Sequence, residues 1–264
     1  MANGNGKLYN PYAPITIVPL FPEGGGTSVG QSVRLQLEAG DSLECGVVKG
    51  NYELIANDEL ADAQTEIAQL LAPKGGYTES KLYFDGKHFA RTLRFPASTR
   101  NIVGKAVAFG TVAWNSYDGT RAAGIETFAE ILACSNGMTS MKYFTRHIFR
   151  HVNTDGWKIA INKAFTELQE RSRGDYDLFC ERLDRSMTEK VTYETLASFR
   201  EKGKLILPAA TSWVGLFDQF FSAPEQTSYE LVNAATSVLW HAESFSSLAV
   251  NSRVVDLILS LNFN

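Results

Sequence analysis

Residues 102–152 read IVGKAVAFGTVAWNSYDGTRAAGIETFAEILACSNGMTSMKYFTRHIFRHV. Two apolar, β-rich runs flank Asn115-Ser116-Tyr117-Asp118-Gly119. Asp-Gly between such runs predicts a hairpin, because glycine accepts a positive φ without Cβ strain. The second run ends at Cys134-Ser135-Asn136-Gly137, and the segment that follows, 138–152, is predicted to be a helix. On a helix, Lys142, Arg146 and Arg150 fall at i, i+4 and i+8 and share one face. His147 and His151 lie beside them, and Ile148, Phe149 and Val152 can turn inward. The expected unit is a strand hairpin backing a basic helix.

Upstream, Ser80–Phe95 reads as another hairpin, turning at Asp85-Gly86 and lined by Lys81, Lys87, Arg91 and Arg94. Ile15–Leu20 is a short apolar run, and short strands are expected at Ser32–Glu38, from its period-two alternation, and at Leu43–Lys49 and Tyr52–Ile55. Asn57 is the expected N-cap of a helix over 57–72, with Leu60, Ala63, Ile67, Leu70 and Leu71 as its apolar stripe. Beyond Thr154 the pattern is helical: 155–173 closed by Gly174, 175–190, 193–202 capped by Thr192, an aromatic helix over 212–222, then 227–241 and 245–261. Segregated strands and helices argue an α+β fold, an antiparallel hairpin sheet with a packed basic helix and a mostly helical C-terminal half. The expected division is a β-rich core over 1–153 with helices 57–72 and 138–152. A helical region over 154–264 either continues the same domain or stands alone.

The 264 residues suffice for a real core, and 44% apolar with 20% charged residues is ordinary globular composition. No apolar run approaches the roughly 18 residues of a membrane span. The first residues, MANGNGKLYNPYAP, lack an apolar signal core, so a cytoplasmic protein is expected. Three widely spaced cysteines, Cys45, Cys134 and Cys180, do not suggest a disulfide framework. The net charge of −4 conceals an asymmetry. Residues 1–80 carry 4 basic and 10 acidic side chains, residues 81–163 carry 12 and 5, and residues 164–264 carry 9 and 14. A basic middle between acidic flanks suggests a surface for a polyanion, and contact between copies of the chain.

Enzyme signatures are scarce. No G-x-x-x-x-G-K-[ST] or G-x-S-x-G is present, and Gly24-Gly25-Gly26 precedes an alternating strand rather than a helix. His147 and His151 form H-x-x-x-H, yet Ile148 stands where a metalloprotease places its Glu, and no third ligand is evident. Asp118 can serve as a carboxylate base, although its place in a turn accounts for it structurally. Neither catalytic residues, a metal nor a cofactor are expected. The strongest positive signal is the face of Lys142, Arg146 and Arg150, interleaved with Tyr143 and His147. Regularly spaced cations suit phosphates, and nearby rings suit base stacking. No Asp or Glu occurs between Ser135 and Thr154, so local i,i+4 pairing does not account for these cations. Lys81, Arg91 and Arg94 would extend the surface, with Tyr143 or Trp114 as a stacking ring.

Three pieces of the chain together resemble a family found in phages, prophages and plasmids, long labelled a domain of unknown function. They are GVVKGNYELI from Gly46, NSYDGT from Asn115 followed by ACSNG from Ala133, and YELVNAATSVLWH from Tyr229. In that family the middle piece looks like NSHDGS…VCSN and the last like NAVTEYVDH. Here Tyr117 stands where the family has His, and Ala235-Thr236-Ser237 lacks its Glu. The phage and plasmid setting implies work on replicating or recombining DNA. The hairpin, hairpin, helix order of 80–151 is also similar in layout to phage single-strand-annealing proteins, the Redβ-like and Erf-like group, which form rings or filaments on DNA. The expectation is a non-catalytic, homo-oligomeric single-stranded DNA-binding protein that promotes annealing. The alternatives are a virion or assembly protein and, third, a metal-dependent nuclease.

Overall fold

The structure, a computed structural model, describes residues 9–38, 40–72, 75–102, 104–132, 139–152, 156–209, 211–240 and 245–261. The order is β1 (Ile15–Leu20), β2 (Gly30–Gln36), β3 (Ser42–Val48), α1 (Asn57–Leu71), β4 (Thr78–Phe84), β5 (His88–Ile102), β6 (Lys105–Ser116), β7 (Ala123–Leu132) and β8 (Thr139–Phe149). Helices follow: α2 (Gly156–Ser186), α3 (Tyr193–Gly203), α4 (Trp213–Ser222), α5 (Ser228–Trp240) and α6 (Phe245–Ser260). The fold is α+β, with antiparallel sheets ordered β1-β2-β3 and β4-β5-β6-β7-β8 and a helical C-terminal half. Both Asp-Gly pairs turn between strands, with Gly86 at φ 97° and Gly119 at φ 73°.

The expected basic helix is a strand. Residues 139–149 form β8 at the edge of the larger sheet. Tyr143, Phe144, Thr145, Ile148 and Phe149 are aromatic or β-branched, and such residues fit a pleated, half-buried surface better than a helix. A spacing of four does not discriminate, because i and i+4 also share a face on a strand. Lys142 and Arg146 therefore remain on one side of β8, while Arg150 falls just beyond its end.

Two compact units interleave along the chain: Met1–Ala97, Gly110–Thr127 and Thr145–Ser172 form one, and Ser98–Phe109, Phe128–Phe144 and Arg173–Asn264 the other. In the first, α1 buries Leu60, Ile67, Ala68 and Leu71 with Phe89 and Leu93 of β5, while Leu70 points to solvent. The buried Gln64 amide donates from Nε2 to the carbonyls of Arg91 (3.1 Å) and Thr111 (3.2 Å), which fixes the helix to β5 and β6. Asn57 is not the cap. Ala56 occupies that position without a side-chain bond, because the Asn57 side chain is engaged elsewhere. In the second unit, Tyr176 is buried and its hydroxyl contacts the carbonyls of Ser98 and Val107, both at 2.8 Å. Thr192 caps α3 as the sequence suggests, and Ser212 caps α4. Among the described residues no helix is long and apolar enough to cross a membrane.

Helix α2 runs 31 residues without a break, where two helices ending at Gly174 were expected. A lone glycine weakens a helix without stopping it when no left-handed residue or proline follows. Buried Ser172 and buried Tyr176 anchor the chain on either side of it. Gly174 is exposed, and a Cβ there meets nothing within 4 Å. Gly174→Ala should therefore raise stability by about 0.5–1 kcal/mol in urea unfolding. A destabilised variant would contradict the continuous helix.

Candidate nucleic-acid interface

The predicted cations do not assemble into one basic face. On β5, Arg91 is largely buried: its Nε donates to Glu79 at 2.7 Å, and Nη1 to the Ala61 carbonyl (2.9 Å) and Thr65 (3.0 Å). Arg94 is half-buried and partnered, and Lys81 is exposed on β4. Of these strands β4 is the edge opposite β8, and β5 is its neighbour. On β8, Lys142 pairs with Asp256 of α6. Arg146 directs Nε (3.1 Å) and Nη2 (2.8 Å) at the buried Glu126 of β7 and lies over the Trp114 ring, 5.4 Å from its centroid. That face of Trp114 is thus occupied by a guanidinium. Tyr143 packs edge-on against Phe128. His147 Nε2 is 3.5 Å from Glu167, an electrostatic neighbour rather than a hydrogen bond. The acidic partners missing from the local sequence arrive from β7 and α6.

The structure instead brings together the first two pieces of polar sequence singled out above. The loop after β6 is held from below by Asn115. Its Nδ2 donates to the Ile55 carbonyl (2.7 Å) and to Asn57 Oδ1 (2.9 Å), and its Oδ1 accepts from the Ser116 N–H at 2.9 Å. The Tyr117 ring is buried, and its hydroxyl accepts the Asn57 N–H at 2.9 Å, which caps α1 from a distant part of the chain. The Asn57 amide donates in turn to the Pro11 carbonyl. Ser116 closes the loop by donating to the Arg121 carbonyl (2.8 Å) and accepting the Arg121 N–H (3.0 Å). Gly46 lies directly against the loop, where a Cβ would sit 2.6 Å from Asp118 Cα. The Tyr52 hydroxyl donates to the Ser116 carbonyl at 3.1 Å, and its ring stacks on His151 at 4.7 Å between centroids and 9° between planes. The ACSNG piece of the resemblance, with Cys134, lies outside the described residues.

Around this junction opens a pocket of about 380 Å³, lined among others by Lys49, Tyr52, Asp118, Arg121, Arg150 and His151. Lys49, Arg121 and Arg150 are exposed, and among the described residues Lys49 and Arg150 make no ion pair. Of the predicted binding residues only Arg150 belongs here; Lys49, Arg121 and Tyr52 were not singled out from the sequence as binding groups, and His151 only as half of the H-x-x-x-H pair.

Asp118 is kept occupied. It accepts from the Thr120 N–H (3.0 Å) and hydroxyl (2.6 Å), and its other oxygen is 3.2 Å from His88 Nε2. His88 Nδ1 meets Asp85 at 2.9 Å, so the ring bridges two carboxylates. Burial pushes Asp85 up, but donors from His88, Lys87 and Tyr83 outweigh it and bring its pKa to about 2. Burial likewise pushes Asp118 up, and bonds from Thr120 with the His88 charge turn the net shift downward. His151 is lowered by burial, against the Glu53 carbonyl that favours its charged form. Burial also lowers His147. Cys45, buried beneath Gly46, is pushed up to about 11, far from a reactive thiolate. Among the described residues no three His, Cys, Asp or Glu groups stand close enough to hold a metal ion.

No known family model, curated protein or solved structure matches the chain.

Tyr117→Phe should cost about 1–3 kcal/mol, because the Asn57 N–H would be left buried without an acceptor; an unchanged urea midpoint would contradict the cap. Acidification should act in two windows. His147 and His151 have folded pKa values below 6.5, so the unfolded chain binds protons first and stability falls as pH drops below about 6.5. Asp85 has a folded pKa of about 2 against an ordinary 3.8, so its contribution is lost between those values. Urea unfolding at stepped pH reads both, and His151→Phe should flatten only the first.

Proposed function

We propose that the chain is a homo-oligomeric single-stranded DNA-binding protein of phage or plasmid type that promotes annealing, and that its pocket around Tyr52 and His151 holds the backbone. The observation that carries this reading is the convergence of Lys49, Arg121 and Arg150, from three separate segments, on one open pocket. The carboxylate among the lining residues, Asp118, is engaged by His88 and Thr120. Lys49 and Arg150, exposed and in no ion pair among the described residues, can exchange solvent counterions for phosphates, whereas Lys142 and Arg146 would first have to release Asp256 and Glu126. The pocket also joins GVVKGNYELI to NSYDGT, two of the segments on which the resemblance to the phage and plasmid family rests. Annealing requires phosphate neutralisation with base edges left free, and no bond chemistry.

A second reading, a virion or assembly protein, is favoured by the exposed apolar side chains Val214 and Phe221 of α4, 73% and 59% accessible.

Lys49→Gln, Arg121→Gln and Arg150→Gln combined should flatten the slope of log affinity against log salt for oligothymidylate by about 2, at about 0.7 per phosphate. Lys142→Gln with Arg146→Gln should leave it unchanged. Fluorescence anisotropy across a salt series measures both. A triple variant that binds like the wild type, or a wild type without salt-sensitive binding, turns the account to the assembly reading.

A further inference from the structure

One end of the three-stranded sheet carries apolar side chains that its own unit leaves uncovered. Phe21 directly follows β1 and is 62% exposed, Val29 directly precedes β2 and is 74% exposed, and Val47 of β3 is 56% exposed. The register brings all three to the same end. Leu20 pairs with Gly30, and the Val29 N–H donates to the Leu20 carbonyl at 2.9 Å. A Cβ on Gly30 would lie 3.1 Å from the Val48 carbonyl oxygen and 3.6 Å from Val47 Cγ1. Leu20, Gly30 and Val48 thus form a row across the sheet, and Phe21, Val29 and Lys49 each stand one residue beyond it. Two strand spacings, roughly 10 Å, separate the backbones of Phe21 and Lys49.

Single exposed apolar side chains are ordinary, whereas neighbouring ones rimmed by polar groups mark a binding surface. This surface is continuous with the cationic pocket, because Val47 belongs to both: it lines the pocket together with Lys49, Arg121 and Arg150. Charge is distributed unevenly along it. The cations stand at the Lys49 end, while residues 21–29 carry no cation and one acid, the exposed Glu23. A ligand that is anionic at one end and apolar at the other fits this arrangement, and the phosphate and base of a single-stranded nucleotide are so disposed. A purely apolar partner would leave the three cations idle. An aromatic ring accepts the π-face of any base and leaves its pairing edge free, as annealing demands.

We propose that Phe21, with Val29 and Val47 beside it, is a stacking platform for a base of the bound strand, next to the phosphate held by Lys49, Arg121 and Arg150. This rests on the single-strand-binding reading and adds to it a base contact outside the pocket. Phosphate contacts alone make a base-bearing strand and its bare backbone equivalent. A stacked base makes the base-bearing strand tighter without selecting a sequence.

The test uses the full-length chain and two labelled strands of equal length, oligothymidylate and the same backbone with abasic residues throughout, each titrated over a salt series. Phe21→Ala should weaken thymidylate binding about 5–150-fold, the range of one stacked base, and leave abasic binding and the salt slope unchanged. Phe21→Tyr should bind as the wild type does. Phe21→Trp gives a direct reading: the emission it adds should be quenched by oligothymidylate and not by the abasic strand. Wild-type affinity in Phe21→Ala, or an introduced indole whose emission oligothymidylate leaves in place, overturns the platform, while salt-sensitive binding by the wild type preserves the wider reading. Indole emission that changes with protein concentration and not with the strand assigns the surface to a second copy of the chain, and overturns the platform as well. If the wild type binds neither strand with a salt-dependent affinity, the wider reading fails and the platform with it.

Discussion

The buried amide of Asn115 is the constraint on which the pocket depends. It makes three hydrogen bonds at once, to the Ile55 carbonyl, to Asn57 and to the N–H of Ser116. Asn115 is 2% exposed and Asn57 1%, so losing any partner would strand a polar group away from water. Through this one side chain the end of β6, the segment before α1 and the first turn of α1 hold a common position. Tyr117 then fits beneath the loop, Gly46 packs on Asp118, and Tyr52 reaches the Ser116 carbonyl. The pocket walls are the upper side of this knot.

The division of labour among the cations follows from where their partners are. On β8, cross-strand geometry brings Glu126 under Arg146, and α6 brings Asp256 to Lys142. These pairs fix strands and helices to one another within their own units. Lys49, Arg121 and Arg150 stand instead outside the strands, and among the described residues Lys49 and Arg150 make no ion pair. The paired cations of β8 and the cations proposed to bind phosphate thus differ in their surroundings, while their residue types are the same.

Much of the fold was legible in the sequence. The glycines after Asp85 and Asp118 required positive φ, and the strands around them follow. Thr192 marked a helix start through chemistry local to the chain. The errors arose where distant contacts decide. Segment 138–152 has a cation spacing that strand and helix satisfy equally, and its aromatic and β-branched content was the discriminating signal. Gly174 punctuated a helix that tertiary anchors carry through. Asn57 was assigned a local cap and is taken by Asn115 across 58 positions. The site was half legible: GVVKGNYELI and NSYDGT were recognised as unusual pieces, but nothing local shows that they meet, and so Lys49, Arg121 and His151 went unassigned. Arg150 was chosen for a helix face that does not exist.

The central claim is that nucleic acid contacts the junction of those two pieces and not β8. Ultraviolet cross-linking of the full-length chain to oligothymidylate, followed by peptide mapping, tests it most directly. The account predicts adducts within residues 49–55 and 117–122, with Tyr52 the principal attachment point. Adducts confined to 142–148, or none under conditions where the strand is bound, would contradict it.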